Sequence, residues 1–265
     1  MRDPDRSSLD PSYGQDTAGL AHRWRFMPSG VAAVVFLLCS ALVVLAAAVT
    51  LGYLLSKYLT DDAPGEADRF VTHWMARHRT KDLNETTHWA TYLSETPTVV
   101  VAGLLLAGTA RAVWKRWRES LFVVAALVGE VSIFLVTTLL VDRRRPSGVS
   151  HLDAAPPTSS FFSGHTAAAV VLYGVLAVLA IKALRGSFAS KIFGLLAFVI
   201  PAVVSIARLY RGMHFMTDVL TGAAVGAVWL FIAARGVRLG VAHRELARHS
   251  VTRSSGEPLP SVDRP

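Results

Sequence analysis

Ala207-Arg208-Leu209-Tyr210-Arg211-Gly212-Met213-His214-Phe215-Met216-Thr217-Asp218 separates two apolar runs and gathers an arginine, a histidine six residues on and an aspartate four after that. On a helix, His214 and Asp218 stand at i and i+4 and share one face, with the carboxylate in reach of one imidazole nitrogen. A carboxylate there fixes the tautomer, leaves the other nitrogen a free lone pair and stabilises the ring if it becomes cationic. His214 is then a candidate nucleophile, and Arg208 offers a fork of donors suited to phosphate oxygens. A polar helix cap beside an apolar run accounts for the same residues, so the rest of the chain must decide.

Composition narrows the class. The 265 residues are 52% hydrophobic and 17% charged, with a mean hydropathy of +0.41. That is too oily for an ordinary soluble domain and too short for several, which points to a polytopic membrane protein. The one cysteine, Cys39, lies in an apolar run and has no partner for an internal disulfide. A net charge of +8 raises nucleic acid as a partner. Membrane topology explains it better, because the basic residues cluster in a few loops and tails beside the apolar runs.

Six spans are expected, at about Val31–Leu55, His88–Ala110, Ser120–Val141, Ser163–Leu184, Ile192–Leu209 and His214–Ala234. The first resembles a signal peptide around Ala46-Ala47-Ala48, but its apolar run continues past that point and is longer than a signal core. The second is weakened by Glu95 and Pro97. Residues 1–30 and 237–265, polar and rich in Ser and Pro, read as disordered tails around a membrane domain at 31–236. Between the first two spans, Phe70, Val71, Trp74 and Met75 recur at helical spacing, which predicts an amphipathic helix on the membrane surface. Glu130, in the middle of the third span, is costly to bury charged, so it is protonated, paired or lining a polar pocket, and it reads as a structural group. The predicted fold is thus an all-α bundle of six transmembrane helices.

The loops holding Arg111 to Arg118 and Lys182 to Lys191 fall on the side of both termini, which the positive-inside rule assigns to the cytoplasm. The Arg143-Arg144-Arg145 cluster lies on the other side, where topology does not explain it. An anionic ligand does. At the same outer ends lie Ser163-Gly164-His165-Thr166, where Ser163 caps the fourth span, Gly164 lets backbone approach a ligand and free N–H groups face an anion. With Arg208, His214 and Asp218 these groups make the inventory of a phosphoryl-transfer site without a metal.

Arg143-Arg144-Arg145-Pro146, then Ser163-Gly164-His165-Thr166, then Arg208, His214 and Asp218 followed by Val219-Leu220-Thr221-Gly222, resemble the three motifs of the type 2 phosphatidic acid phosphatase family, the lipid phosphate phosphatases whose fold is shared with vanadium haloperoxidases. The likeness covers Thr138 to Gly222, and the six-span layout extends it to most of the chain. It implies that His214 attacks phosphorus and forms a phosphohistidine, with Asp218 orienting it. His165 is then the acid for the leaving group and the base for water. Arg145 and Arg208 clamp the phosphate with Ser163 and the Gly164 amide, and no metal cofactor is expected. Three positions depart from the family pattern. Thr138 stands where a lysine is usual, Phe162 where a proline is, and Ala207 where a serine is. Thr138 removes a positive charge from the clamp, for which Arg143 or Arg144 is a candidate substitute. The resemblance implies a lipid phosphate or diphosphate as substrate: polyprenyl diphosphate, phosphatidylglycerol phosphate or phosphatidic acid. It also implies a bacterial-type plasma membrane, with cytoplasmic termini and an extracytoplasmic site. Phosphotransfer to another hydroxyl, or a silent lipid-binding or transport protein, are the competing readings.

Overall fold

The computed structural model describes residues 29–254, and every regular element in them is a helix. In chain order these are α1 (Ser29–Lys57), α2 (Ala63–Arg77), α3 (Lys81–Tyr92), α4 (Thr96–Trp114), α5 (Arg118–Leu140), α6 (Gly164–Ala183), α7 (Phe188–Tyr210) and α8 (Met216–Ser254). Six of them, α1 and α4 to α8, are long and apolar enough to cross a bilayer, as expected of a multi-pass membrane protein. The expected tails lie outside the described residues at 1–28 and 255–265. Within residues 237–254, however, α8 continues to Ser254. No proline or glycine interrupts 241–254, and its Ala, Arg, Glu and Leu residues favour helix.

Contacts divide the chain into two units. One holds its ends, up to Cys39 and from Ala234, where Gly236 lies against Leu37. The other, Ser40–Ala233, carries the groups singled out above. Within it α6 packs on α5 and, most extensively, on α7, and α4 packs on α5 and α6. The end of α5, the start of α6, the end of α7 and the start of α8 come together: Ser163 N–H donates to the Asp218 carbonyl at 3.1 Å, and Arg143 pairs with the Asp218 carboxylate. At the start of α5, Glu119 is buried and takes Lys182 from the end of α6 at 2.7 Å.

Two elements differ from expectation in instructive ways. The second span does not start at His88. The helix stops at Tyr92 and resumes at Thr96 with Glu95 as N-cap and Pro97 in the first turn, where its missing N–H costs nothing. The segment between the first two spans is two helices, and α2 is amphipathic as anticipated. Its buried positions are Gly65, Asp68 and Thr72, whereas Phe70 and Trp74 are exposed. The polar face therefore packs on the protein, and the aromatic face is left for the bilayer surface.

Close approach of α8 to α6 sets the position of the Ser163-Gly164-His165-Thr166 segment. Gly222 and Gly226, spaced as small-x-x-x-small, face the backbone of Ser163 and Ala167. A Cβ on Gly222 comes within 2.5 Å of the Ser163 carbonyl oxygen, which cannot move without displacing the turn that starts α6. Gly222→Val should therefore cost about 1–3 kcal/mol, read as a lower thermal midpoint of the detergent-purified protein. Gly108→Ala, where the added carbon meets nothing within 4 Å, should leave the midpoint in place.

Candidate active site

The site begins with how its histidines are held. His214 does not lie on a helix face with Asp218. It sits in the turn before α8, after Gly212, whose φ of +73° reverses the chain. Its Nδ1 is 2.8 Å from the Ser160 carbonyl oxygen, whereas the Asp218 carboxylate is 3.9 Å away. A carbonyl only accepts, so Nδ1 carries the hydrogen and Nε2 keeps its lone pair. The expected tautomer is present, but a backbone carbonyl fixes it and not Asp218.

Asp218 has other work. At the third position of α8 it accepts the Phe215 N–H at 2.9 Å, the reciprocal half of a capping box, and it pairs with Arg143. Arg143 also donates to Asp68 at 2.8 Å and to the Thr217 hydroxyl at 2.8 Å, with its guanidinium 4.7 Å from the Phe215 ring centre. Asp68, from α2, accepts the Thr217 N–H at 2.9 Å. Asp68 is a residue the sequence reading missed, because it lies 149 positions from its partner and looks like one more surface charge.

One cavity of about 790 Å³ takes in Gly164, His165, Arg145, Arg208 and His214, and runs down between α4 and α5 past Val100, Leu104 and Leu127. Its upper end is polar and its walls are apolar. Arg145 donates through Nη1 to the Met213 carbonyl at 2.8 Å, and Arg208 through Nη1 to Asp153 at 2.9 Å. In both, Nε is buried with no hydrogen-bond partner among the described residues. Orphaned guanidinium donors in a cavity beside a helix N-terminus are suited to an anion.

Asp153 was also unforeseen. It bridges Arg208 and Arg211, the latter through two bonds at 2.6 and 2.8 Å. Burial acts to raise its pKa, but the hydrogen bond from Arg211 and the charge of Arg208 outweigh that and hold it below the usual carboxylate range. Arg211 reaches on to the Asn84 carbonyl and to Thr87, which fastens α3 to the end of α7.

Three expected phosphate ligands stand elsewhere. Thr138 is turned back on its own helix, donating to the Leu135 carbonyl at 2.8 Å, as hydroxyls in helices do when no other acceptor is near. Arg143 is consumed by its two carboxylates and lines a second, outer cavity with Arg144 and Asp68. Ser163 is fully buried as the α6 N-cap, accepting from Thr166, and does not line the larger cavity. The missing family lysine is therefore not replaced by Arg143. Phe162 fills the proline position as a buried ring 5.7 Å from the Phe134 ring.

His214 is pushed well below the ordinary imidazole pKa, by burial first and then by the charges of Arg208 and Arg145, with the Ser160 carbonyl opposing. Such a shift favours the neutral ring, in which Nε2 carries a lone pair.

Known proteins resemble this chain. Phosphatidylglycerophosphatase B of Bacillus subtilis (strain 168) is 40% identical over 74 residues, 28% of this chain. The match spans 36% of that relative's length. Among solved structures, a transmembrane PAP2-type phosphatidylglycerolphosphate phosphatase from Bacillus subtilis superposes with a TM-score of 0.62 at 25% identity, over 78% of this chain and 94% of that one. LpxE from Aquifex aeolicus gives a TM-score of 0.49 at 21% identity, over 63% and 93%. The PAP2 superfamily model matches residues 38–239, which takes in the helices around the cavity and all three motif segments, and the chain belongs to that superfamily.

Proposed function

We propose that the protein is a lipid phosphate phosphatase that works through a phosphohistidine on the extracytoplasmic face of the plasma membrane. The observation that carries this reading is the His214 ring. Its Nδ1–H is committed to the Ser160 carbonyl, which leaves the Nε2 lone pair for a cavity shared with His165 and the free Nε groups of Arg145 and Arg208.

In the first step Nε2 of His214 bonds to phosphorus as the bond to the leaving oxygen breaks, and His165 gives that oxygen a proton. In the second, water attacks phosphorus and passes its proton to His165. The P–N bond breaks, and its electron pair returns to Nε2. Arg145, Arg208 and the first N–H groups of α6 bind the non-bridging oxygens throughout. These fixed charges do the neutralisation that a divalent ion does in other phosphoryl transfers, so the reaction needs no metal. Asp153 holds Arg208 in place, and Asp218 acts on His214 only through the turn that it caps.

The apolar walls between α4 and α5 suit a lipid tail, with the phosphate at the polar end. The basic loops around Arg111–Arg118 and Lys182–Lys191 flank the opposite ends of the spans, which by charge is the cytoplasmic side. Phosphatidylglycerol phosphate is the favoured substrate, because both Bacillus relatives are named for that activity.

Phosphate release from phosphatidylglycerol phosphate, measured in detergent, should fall by at least ~10³-fold in His214→Ala and be unaffected by EDTA. Rapid quenching during turnover of phosphate-labelled substrate should trap an acid-labile phosphoenzyme in the wild type that His214→Ala lacks. Equal label in His214→Ala, or none in the wild type before the first turnover is complete, rejects the covalent route.

The pH profile follows from the same ring. Because the folded protein lowers the pKa of His214, the neutral nucleophile survives to more acid pH than a free imidazole. The acid limb of kcat/KM should lie below the ordinary imidazole range. Arg145→Gln removes one of the charges that lower it and should move the limb upward, whatever its effect on rate.

A further inference from the structure

Below the phosphate end, the cavity wall contains two polar side chains with nothing to bind. Glu130 is 3% exposed and lines the cavity, yet no hydrogen bond or ion pair is found for its carboxyl among the described residues. Ser94 is also 3% exposed and lines the cavity, and its Oγ has no partner. Around them the wall is Val100, Leu127, Val131 and Phe134. Of the alternatives the sequence left for Glu130, the structure places it in the wall of a pocket, and no ion pair to it is found among the described residues.

Depth constrains what these groups meet. The Phe134 ring lies against Gly164, at the level where α6 begins and the histidines stand. Glu130 is one turn of α5 before it, about 6 Å along the axis. Its side chain leans toward the start of α5, further from the phosphate. Ser94 occupies the break between α3 and α4, whose Leu93 carbonyl accepts from Tyr173 of α6 at 3.0 Å. The orphaned polar groups are thus past the reacting phosphate and before the purely apolar part of the channel.

We infer that Glu130, with Ser94, is a specificity-determining pair that binds the hydroxyl and ester oxygens of a glycerophospholipid phosphate. Glycerolipids present hydrogen-bonding atoms a few bonds beyond the phosphate, whereas a prenyl diphosphate is hydrocarbon from the first carbon past its phosphates. A buried carboxyl left facing hydrocarbon is costly, and one facing a glycerol backbone is satisfied. A carboxyl accepts from a hydroxyl in either protonation state and, when protonated, donates to an ester carbonyl; a serine hydroxyl does both. The pair favours the first substrate class and disfavours the second.

This inference rests on the phosphatase reading, and the experiment separates the two. The full-length protein in mixed micelles is assayed for phosphate release from dioleoyl phosphatidic acid, phosphatidylglycerol phosphate and undecaprenyl diphosphate. Glu130→Leu should lower the ratio of kcat/KM for the glycerolipids to that for the prenyl substrate about tenfold, mainly through KM. Ser94→Ala should move the ratio the same way by a smaller factor, and Glu130→Gln, which keeps an acceptor and a donor, should restore most of it. An unchanged ratio, whether from equal losses on all substrates or from no loss, overturns the assignment. A wild-type protein that releases phosphate from none of the three overturns the phosphatase reading itself, before any variant is compared.

Discussion

The site depends on a single buried guanidinium. Arg143 lies between Asp68 and Asp218, 7% exposed against carboxylates of 1% and 0%, and so ties α2 and the segment after α5 to the first turn of α8. Two anions share one cation, and the remaining negative charge is offset by the start of α8, whose N–H groups at Phe215 and Thr217 donate to these carboxylates. A buried ion pair is weak evidence of net stability, but removing one partner strands a charge at a cost of ~3–5 kcal/mol. What this network supplies is position. The Arg143 carbonyl accepts from Ser160 N–H at 2.9 Å, and the Ser160 carbonyl holds His214. The proposed nucleophile is located by a chain of bonds that starts at the residue buried between two carboxylates.

The arginines sort by what their nitrogens are doing. Arg143 and Arg211 donate to carboxylates, carbonyls and hydroxyls within the chain, and each joins elements far apart in sequence. Arg145 and Arg208 are anchored through Nη1, and their buried Nε groups have no partner among the described residues. Leaving a buried charged donor unsatisfied is expensive, and such a cost is tolerated where a ligand removes it. This division separates framework arginines from those proposed to bind the anion on hydrogen bonding alone, and residue order within the Arg143-Arg144-Arg145 run does not give it.

Much of the fold was legible because membrane spans are written in composition. Lengths of apolar sequence set the six helices, and proline, glycine and charge set most of their ends to within a few residues. The site was legible as far as its motifs are local: Arg145, His165, Arg208 and His214 converge as their order in the chain implied. What failed were inferences that borrowed helical geometry for a residue not in a helix. His214 and Asp218 are four apart, but the helix starts between them, so the carboxylate caps the backbone and stands 3.9 Å from the ring, beyond hydrogen-bond distance. Asp68 and Asp153 were invisible for a different reason. Each is an isolated acid in a polar segment, and only tertiary contact with Arg143, or with Arg208 and Arg211, distinguishes it from a solvated charge.

Arg145 also forms the partition between two unlike spaces. On one side is the large cavity with apolar walls between α4 and α5, and on the other a cavity of about 430 Å³ lined by Asp68, Arg69, Asp142, Arg143 and Arg144. The first suits a lipid tail and the second suits water and an anion. In the proposed two-step reaction the lipid alcohol and the inorganic phosphate have opposite preferences, one for hydrocarbon and one for water. If Arg145 binds phosphate as proposed, a wall shared by the two cavities would let each product leave toward its own solvent without crossing the other's path. The same arrangement explains why the site stands at the ends of four spans and not at mid-depth: attack by water requires an aqueous side, and retention of an acyl chain requires a hydrocarbon side, so the reacting phosphorus must sit where the two meet.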